Sequence, residues 1–244
     1  MSRVLVIPDS HLKIDVIRHG LEIADKKKAD KIVMLGDYFD DWTCTDIDYF
    51  EMMDYIKKLV RNDHRIIALL GNHELSYMGF PCAGHRTSVE DYMKEKLMPD
   101  HRFYFCVAID DVLYSHAGFT TKWIRGNKLI TENDIRYKMT RTNGADLVEK
   151  KMSEVREMEV FVQAGPGRGG KDLPGPLWAD AMELVDDAIP NVRQVVGHTP
   201  VKSIECFGKV WFTDVFSNYN NCDEYLLVNK GEPEIIHYGD LAYE

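Results

Sequence analysis

Ile66-Ile67-Ala68-Leu69-Leu70-Gly71-Asn72-His73-Glu74 is a short apolar run that stops at a glycine and passes into a carboxamide, an imidazole and a carboxylate. A run of this length, bounded by a turn residue, reads as a buried strand. The same plan recurs elsewhere in the chain. Val4-Leu5-Val6-Ile7 runs into Pro8-Asp9-Ser10-His11, and Ile32-Val33-Met34-Leu35 into Gly36-Asp37-Tyr38-Phe39-Asp40. Val112-Leu113-Tyr114 runs into Ser115-His116-Ala117-Gly118, and Val195-Val196 into Gly197-His198-Thr199-Pro200. In open α/β sheets, ligands bind just beyond the carboxyl ends of the strands. Asp, Asn and His repeated at that one kind of place are expected to converge, and together they point to metal.

The intervening sequence supports a sheet of this kind. Residues 12–28 place Leu12, Val16, Ile17, Leu21, Ile23 and Ala24 at helical spacing before a lysine-rich end. Residues 46–61 repeat the pattern with Ile47, Phe50, Met53, Ile56, Leu59 and Val60. Apolar stripes at that spacing, with cations near the C-terminus, suit helices. The first seventy residues thus read strand–helix–strand–helix–strand, a parallel sheet covered by helices. Residues 103–115 read as a hairpin, with a strand over 103–109, a turn at Asp110-Asp111 and a second strand, so the sheets are mixed. From about 120 to 164 the chain is polar and helix-prone, and alternating charge over residues 150–159 suggests a solvated helical insertion. Residues 165–176 are rich in Gly and Pro and must be loop; they lack the Gly-Lys-Ser/Thr ending of a nucleotide-binding P-loop. Strands resume at 192–196 and continue at 210–212, 225–228 and 234–237. The expected organisation is a single domain, 1–244, with a helical insertion at about 120–176.

Composition narrows the function. A chain of 244 residues, 45% hydrophobic, can bury one full core. Its formal charge of −10 argues against non-specific nucleic-acid binding, which needs a basic footprint. A nucleotide substrate stays open, because bound divalent cations reverse the field inside a site. No stretch has the length of a membrane span, and no signal peptide is evident at the start. Cys44, Cys82, Cys106, Cys206 and Cys222 are odd in number and show no paired spacing, which reads as incidental thiols in a reducing, cytoplasmic setting.

Taken singly, none of the strand-end motifs is specific, since acidic turn residues are common for local reasons and a lone His116 or His198 reads first as a buried histidine. Five such endings in order are what decide the matter. In that order, Asp9-Ser10-His11, Gly36-Asp37-Tyr38-Phe39-Asp40, Gly71-Asn72-His73-Glu74, His116 and Gly197-His198 resemble the signature of the calcineurin-like metallophosphoesterases. The resemblance spans nearly the whole chain. It implies an α/β sandwich of two mixed β-sheets flanked by helices, and a hydrolase acting on phosphoric esters. It further implies two divalent metal ions: one on Asp9, His11 and Asp37, the other on Asp37, Asn72, His116 and His198, with Asp37 bridging. Oxygen and nitrogen ligands without thiolate favour Mn²⁺, with Fe or Zn²⁺ possible alternatives. Two such ions, about 3.5–4 Å apart, can share a hydroxide for in-line attack at phosphorus. By the same resemblance His73 protonates the leaving oxygen and Asp40 holds its imidazole.

Two departures bear on the substrate. Protein Ser/Thr phosphatases and the diadenosine tetraphosphatases like them carry arginines where this chain has Asp41 and Leu70, and neither residue can grip a phosphate by bidentate hydrogen bonding. Arg168 and Lys171, on the glycine-rich loop, are candidates to replace them. Diesterases and nucleases of the family end in Gly-His-x-His, whereas Pro200 stands in the last place here, as in the phosphatases. Leu177-Trp178 is similar to a phosphatase segment but is explained equally by packing, and Thr213-Asp214 reads as a structural turn. The reading is therefore a phosphomonoesterase of the phosphoprotein-phosphatase-like branch, acting on a phosphorylated small molecule, nucleotide or phosphoprotein. The alternatives are a phosphodiesterase or nucleotide pyrophosphohydrolase and, from another class, a catalytically inactive scaffold.

Overall fold

Val4, Leu5, Val6 and Ile7 are almost fully excluded from solvent, as are Ile32, Val33 and Met34 and, on the next strand, Ala68 and Leu69. In the computed structural model these runs form β1 (Arg3–Ile7), β2 (Lys31–Met34) and β3 (Ile66–Leu69). The pairing is parallel, with Leu5 opposite Ile32 and Val33 opposite Ile67. Strands buried on both faces read as continuous apolar runs because helices cover them. The register sets Ile7 opposite Met34 and Met34 opposite Ala68, so the three strands end close together at their carboxyl ends.

The structure describes residues 1–97, 102–129, 144–155, 157–217 and 223–243. They divide into two compact units, Met1–Tyr104 with Val215–Glu244, and Phe105–Asp214. In the first unit the strand order is β11-β10-β1-β2-β3-β4, where β4 is Phe103–Tyr104, β10 Glu224–Asn229 and β11 Glu232–His237. β10 joins β1 and β11 antiparallel, so this sheet is mixed. Helix α1 (Ile14–Lys26) buries Val16, Ile17, Ile23 and Ala24. Burying side chains of the Val and Ile size contributes roughly 1.5–3 kcal/mol each. Helix α2 (Asp46–Asn62) starts with Asp48 accepting from both the N–H (2.6 Å) and the hydroxyl (2.7 Å) of Thr45. Short α3 (Asn72–Ser76) and α4 (Glu90–Leu97) are its further α-helices among the described residues.

The second unit carries a mixed sheet of order β5-β6-β7-β9-β8. These strands are Cys106–Ile109, Val112–Ser115, Arg193–Val196, Val210–Phe212 and, for β8, Glu205–Phe207. Among the described residues its α-helices are α5 (Thr121–Gly126), α6 (Gly144–Glu154) and α7 (Ala181–Asp187). The hairpin turn is where the sequence puts it, with Asp110 and Asp111 at φ +48° and +68°. Positive φ at both central residues matches the right-handed twist of the flanking strands.

Three local expectations are corrected. The run 103–109 is not one strand, because Leu70 donates to the Tyr104 carbonyl in the first sheet while Cys106 pairs with Ser115 in the second. β8 was invisible in the sequence because all three of its residues are exposed, and antiparallel pairing with β9 alone defines it. Helix α6 is not solvated all round: it buries Ala145, Val148 and Met152, packs on β5 and β6, and ends at Glu154. Residues 130–143 and Arg156 of the expected insertion, and Cys222, lie outside the described residues. No helix among the described residues is long and apolar enough to cross a membrane.

Candidate metal centre

In the first unit, three strand ends deliver the expected residues to one place. Past β1, the N–H groups of Ser10 and His11 both donate to the Asp37 carbonyl (3.1 and 3.0 Å), which ties the first loop to the second. His11, Leu12, Asp37 and Asp40 all have positive φ, between +41° and +67°. Non-glycine residues held in that region cost of order 1–3 kcal/mol each, and such strain gathers at functional sites. Ligand atoms of Asp9, His11 and Asp37 lie within 4.8 Å of one another. His11 Nδ1 faces the carbonyls of Phe39 (2.9 Å) and Asp40 (3.2 Å), which can only accept, so Nδ1 carries the proton. In the neutral ring Nε2 is then left with its lone pair, the tautomer a metal requires.

The loops after β2 and β3 meet through glycine. A Cβ on Gly36 (φ +100°) would stand 2.5 Å from the Gly71 nitrogen, and one on Gly71 would strike the Asp37 carboxylate. Buried Glu74 closes this junction. Its Oε2 accepts from the N–H groups of Asp37 (2.8 Å) and Gly71 (2.7 Å), and its Oε1 from Tyr38 (2.8 Å). Asn72, also buried, opens α3 one residue past Gly71.

His73 is bound to this cluster twice. Its backbone N–H donates to Asp37 Oδ1 (3.0 Å), and its ring Nδ1 lies 2.7 Å from Asp40 Oδ2. The other ring nitrogen, Nε2, stands 3.9 Å from Asp37 Oδ2. Burial disfavours the imidazolium, but the charge of Asp37 and the hydrogen bond that His73 donates to Asp40 outweigh it and push the His73 pKa up to about 12. Asp40 is held in turn, since its Oδ1 accepts from the hydroxyls of Tyr49 (3.0 Å) and Tyr77 (2.5 Å). Burial, together with Asp40, raises the pKa of both phenols, so they remain donors.

In the second unit, β6 and β7 are parallel neighbours, with Tyr114 opposite Val195. His116 and His198 therefore leave the same edge, and Gly197 N–H donates to the His116 carbonyl (2.8 Å). His116 Nε2 and His198 Nδ1 are 3.0 Å apart. His198 is in the left-handed region (φ +65°), with the Trp178 ring edge-on to it at 5.7 Å.

The residues that bear on substrate are placed as follows. Asp41 folds back locally, accepting from the N–H (2.8 Å) and hydroxyl (2.6 Å) of Thr43. Leu70 is buried. Arg168 donates to the Thr199 hydroxyl (2.7 Å), one residue past His198, and pairs with Asp180, whereas Lys171 is exposed. Thr213 bonds the Val196 carbonyl through both its N–H (2.9 Å) and its hydroxyl (2.8 Å), as a structural turn would. Sequence reasoning quoted Glu74 without giving it a task. A carboxylate at the third position of a helix is a capping signal that would have found it. Tyr49 and Tyr77 leave no local signal.

A family model for calcineurin-like phosphoesterases matches residues 2–202. The chain belongs to that family. It is a metal-dependent hydrolase of phosphoric esters, with the two mixed sheets and flanking helices of the metallophosphoesterase fold. The fold is similar to that of a cold-active protein tyrosine phosphatase from a psychrophilic Shewanella species, at 21% identity and a TM-score of 0.59, covering 98% of this chain and 78% of that one. A point mutant of a cold-active protein tyrosine phosphatase aligns with a TM-score of 0.63 at 19% identity, over the same shares of the two chains. No curated protein matches the chain. In this phosphoesterase the carboxylate and imidazole donors, with His11 in the ligating tautomer, fit divalent cations of the Mn²⁺, Fe or Zn²⁺ type.

Proposed function

We propose that the protein is a phosphomonoesterase of the phosphoprotein-phosphatase-like branch that works with two divalent metal ions, Mn²⁺ above others. The family's ligand pattern assigns one ion to Asp9, His11 and Asp37 and the other to Asp37, Asn72, His116 and His198. When bound, the pair would neutralise phosphoryl charge and lower the pKa of water. Asp37 aligns His73 through the backbone N–H bond, and the His73 imidazolium supplies the leaving oxygen with its proton. Asp40 fixes the ring's direction and stabilises its charge. The observation that carries this reading is the chain Tyr77–Asp40–His73–Asp37, which sets a held proton donor against a ligand carboxylate. A binding scaffold needs no such donor.

The family match crosses from one unit into the other, which supports reading residues 1–244 as a single functional domain. The odd number of cysteines and their lack of paired spacing support a reducing, cytoplasmic setting. Substrates are phosphorylated small molecules, nucleotides or phosphoproteins. A phosphotyrosine peptide belongs in any panel, given the activity for which the Shewanella protein is named.

Pro200, in place of a second histidine, favours monoesters, because two cations neutralise a dianion better than a diester's single charge. The test is kcat/KM with Mn²⁺ for p-nitrophenyl phosphate against bis-p-nitrophenyl phosphate. The monoester is expected to be preferred, and a clear diester preference would replace this reading with the phosphodiesterase alternative.

A further inference from the structure

Cys82 has no cysteine near it in sequence, yet the fold brings its thiol to the Asp40–His73 pair. Residues 80–85 leave α3 and turn back over it, anchored where the Cys82 N–H meets Ser76 Oγ (3.5 Å) and where Ser76 Oγ meets His85 Nδ1 (2.6 Å). At Gly84 (φ +91°) an added Cβ would stand 3.2 Å from Asp40 Cβ and 3.5 Å from His73 Cε1, so this loop lies directly against both side chains. The Cys82 sulfur is 3.8 Å from His73 Nδ1, the nitrogen that already faces Asp40 Oδ2 at 2.7 Å. The three donor atoms lie within 4.8 Å of one another, with Asp40 buried and the other two partly accessible.

We propose that Asp40, His73 and Cys82 form a third metal site, selective for Zn²⁺ and chemically similar thiophilic cations, whose occupation switches hydrolysis off. The spacing suits it. A tetrahedral zinc with Zn–N about 2.1 Å and Zn–S about 2.3 Å holds those two atoms about 3.6 Å apart, close to what is observed. The Asp40–His73 contact has to open to about 3.4 Å on the same geometry, and Cys82 Sγ and Asp40 Oδ2, within 4.8 Å of each other, have to settle at about 3.5 Å. Asp40 Oδ1 is engaged by two tyrosine hydroxyls, which leaves Oδ2 as the ligating oxygen. A thiolate beside an imidazole favours zinc over Mn²⁺, whereas the oxygen-rich set of Asp9, His11 and Asp37 does not discriminate in that way. On binding, zinc forms bonds to sulfur, Nδ1 and Oδ2. The thiol proton and the Nδ1 proton leave to solvent, and no electron is transferred.

The inhibitory half of this proposal rests on His73 being the proton donor; the binding half does not. With Nδ1 and Asp40 Oδ2 both drawn onto zinc, the ring loses the direct Asp40 contact that sets its direction, and His73 no longer serves the leaving oxygen. The leaving oxygen then departs unprotonated, while the ions on Asp9, His11 and Asp37 stay in place.

The test starts from protein saturated with Mn²⁺. Titration with Cd²⁺, read by thiolate-to-metal charge-transfer absorption, should show one equivalent bound. The signal should disappear in Cys82→Ser and persist in Cys206→Ser, which removes an exposed thiol. Zinc inhibition, with each variant normalised to its own zinc-free rate, should need roughly tenfold or more zinc in Cys82→Ser, since losing even a group behind a ligand costs that much affinity. It should also be deeper on an alkyl phosphate than on p-nitrophenyl phosphate, whose leaving group needs little protonation. A cadmium signal that survives in Cys82→Ser, or is missing from the unmutated protein, overturns the site. Equal zinc sensitivity in Cys82→Ser overturns the switch. If the Mn²⁺ protein hydrolyses no phosphoester, the functional reading fails, and the cadmium titration alone decides the site.

Discussion

Glu74 shares two carboxylate oxygens among three backbone N–H groups, those of Gly71, Asp37 and Tyr38, with no exposure to water. A glutamine there has one acceptor oxygen and turns an amide N–H₂ toward groups that are themselves donors. Glu74→Gln should therefore destabilise the protein by about 1–3 kcal/mol, the cost of a buried donor left unsatisfied. Because the same bonds set Asp37, metal affinity should fall ~10–100-fold. Urea unfolding in chelator separates the first effect, and a metal titration measures the second. Asp37 and His73, though joined by a hydrogen bond, should fail differently. Asp37→Asn should lose both metal binding and turnover. His73→Asn should keep its metals and slow turnover by ~10²–10⁴, the usual share of a positioned proton donor. That loss should shrink for p-nitrophenyl phosphate. Loss of metal in His73→Asn, read by elemental analysis, would show the division of roles to be wrong.

Between β2 and β3, the site depends on two loops coming closer than side chains allow. Gly36 has φ +100° and no room for a Cβ against Gly71, so Gly36→Ala meets both strain and a clash. Strain of this kind alone costs of order 1–3 kcal/mol. The variant should unfold at lower denaturant and take up metal more weakly, because relief of the clash moves the Asp37 loop away from Gly71. An unchanged unfolding midpoint would mean that the two loops are not packed as closely as the structure shows. Strands β1, β2 and β3 and helices α1 and α2 followed from their apolar patterns, since burial on both faces leaves a continuous run in a strand and burial on one face a helical stripe. Element boundaries at 104–106 did not, because residues 103–109 are uniformly apolar while their hydrogen-bond partners change partway along.

A chain with formal charge −10 that gathers carboxylates such as Asp9 and Asp37 is stabilised by any cation that binds only the folded form. At a hundred times its dissociation constant, one Mn²⁺ adds about 2.7 kcal/mol per site. Thermal unfolding in chelator should fall below that in Mn²⁺, with turnover lost and then restored when Mn²⁺ is returned. Full turnover in metal-free protein would defeat the metallophosphatase reading. By itself, the sequence determined the family, the apolar runs of β1, β2, β3, β6 and β7 and the order of the candidate ligands. Each of those is written locally, as an apolar run ending in a turn and a donor side chain. Only the tertiary structure decided the His11 tautomer, the Glu74 junction, the tyrosines on Asp40 and the approach of Cys82 to His73. These depend on atoms from separate loops meeting at hydrogen-bond distance, and no periodicity in one segment records where another segment will come to rest.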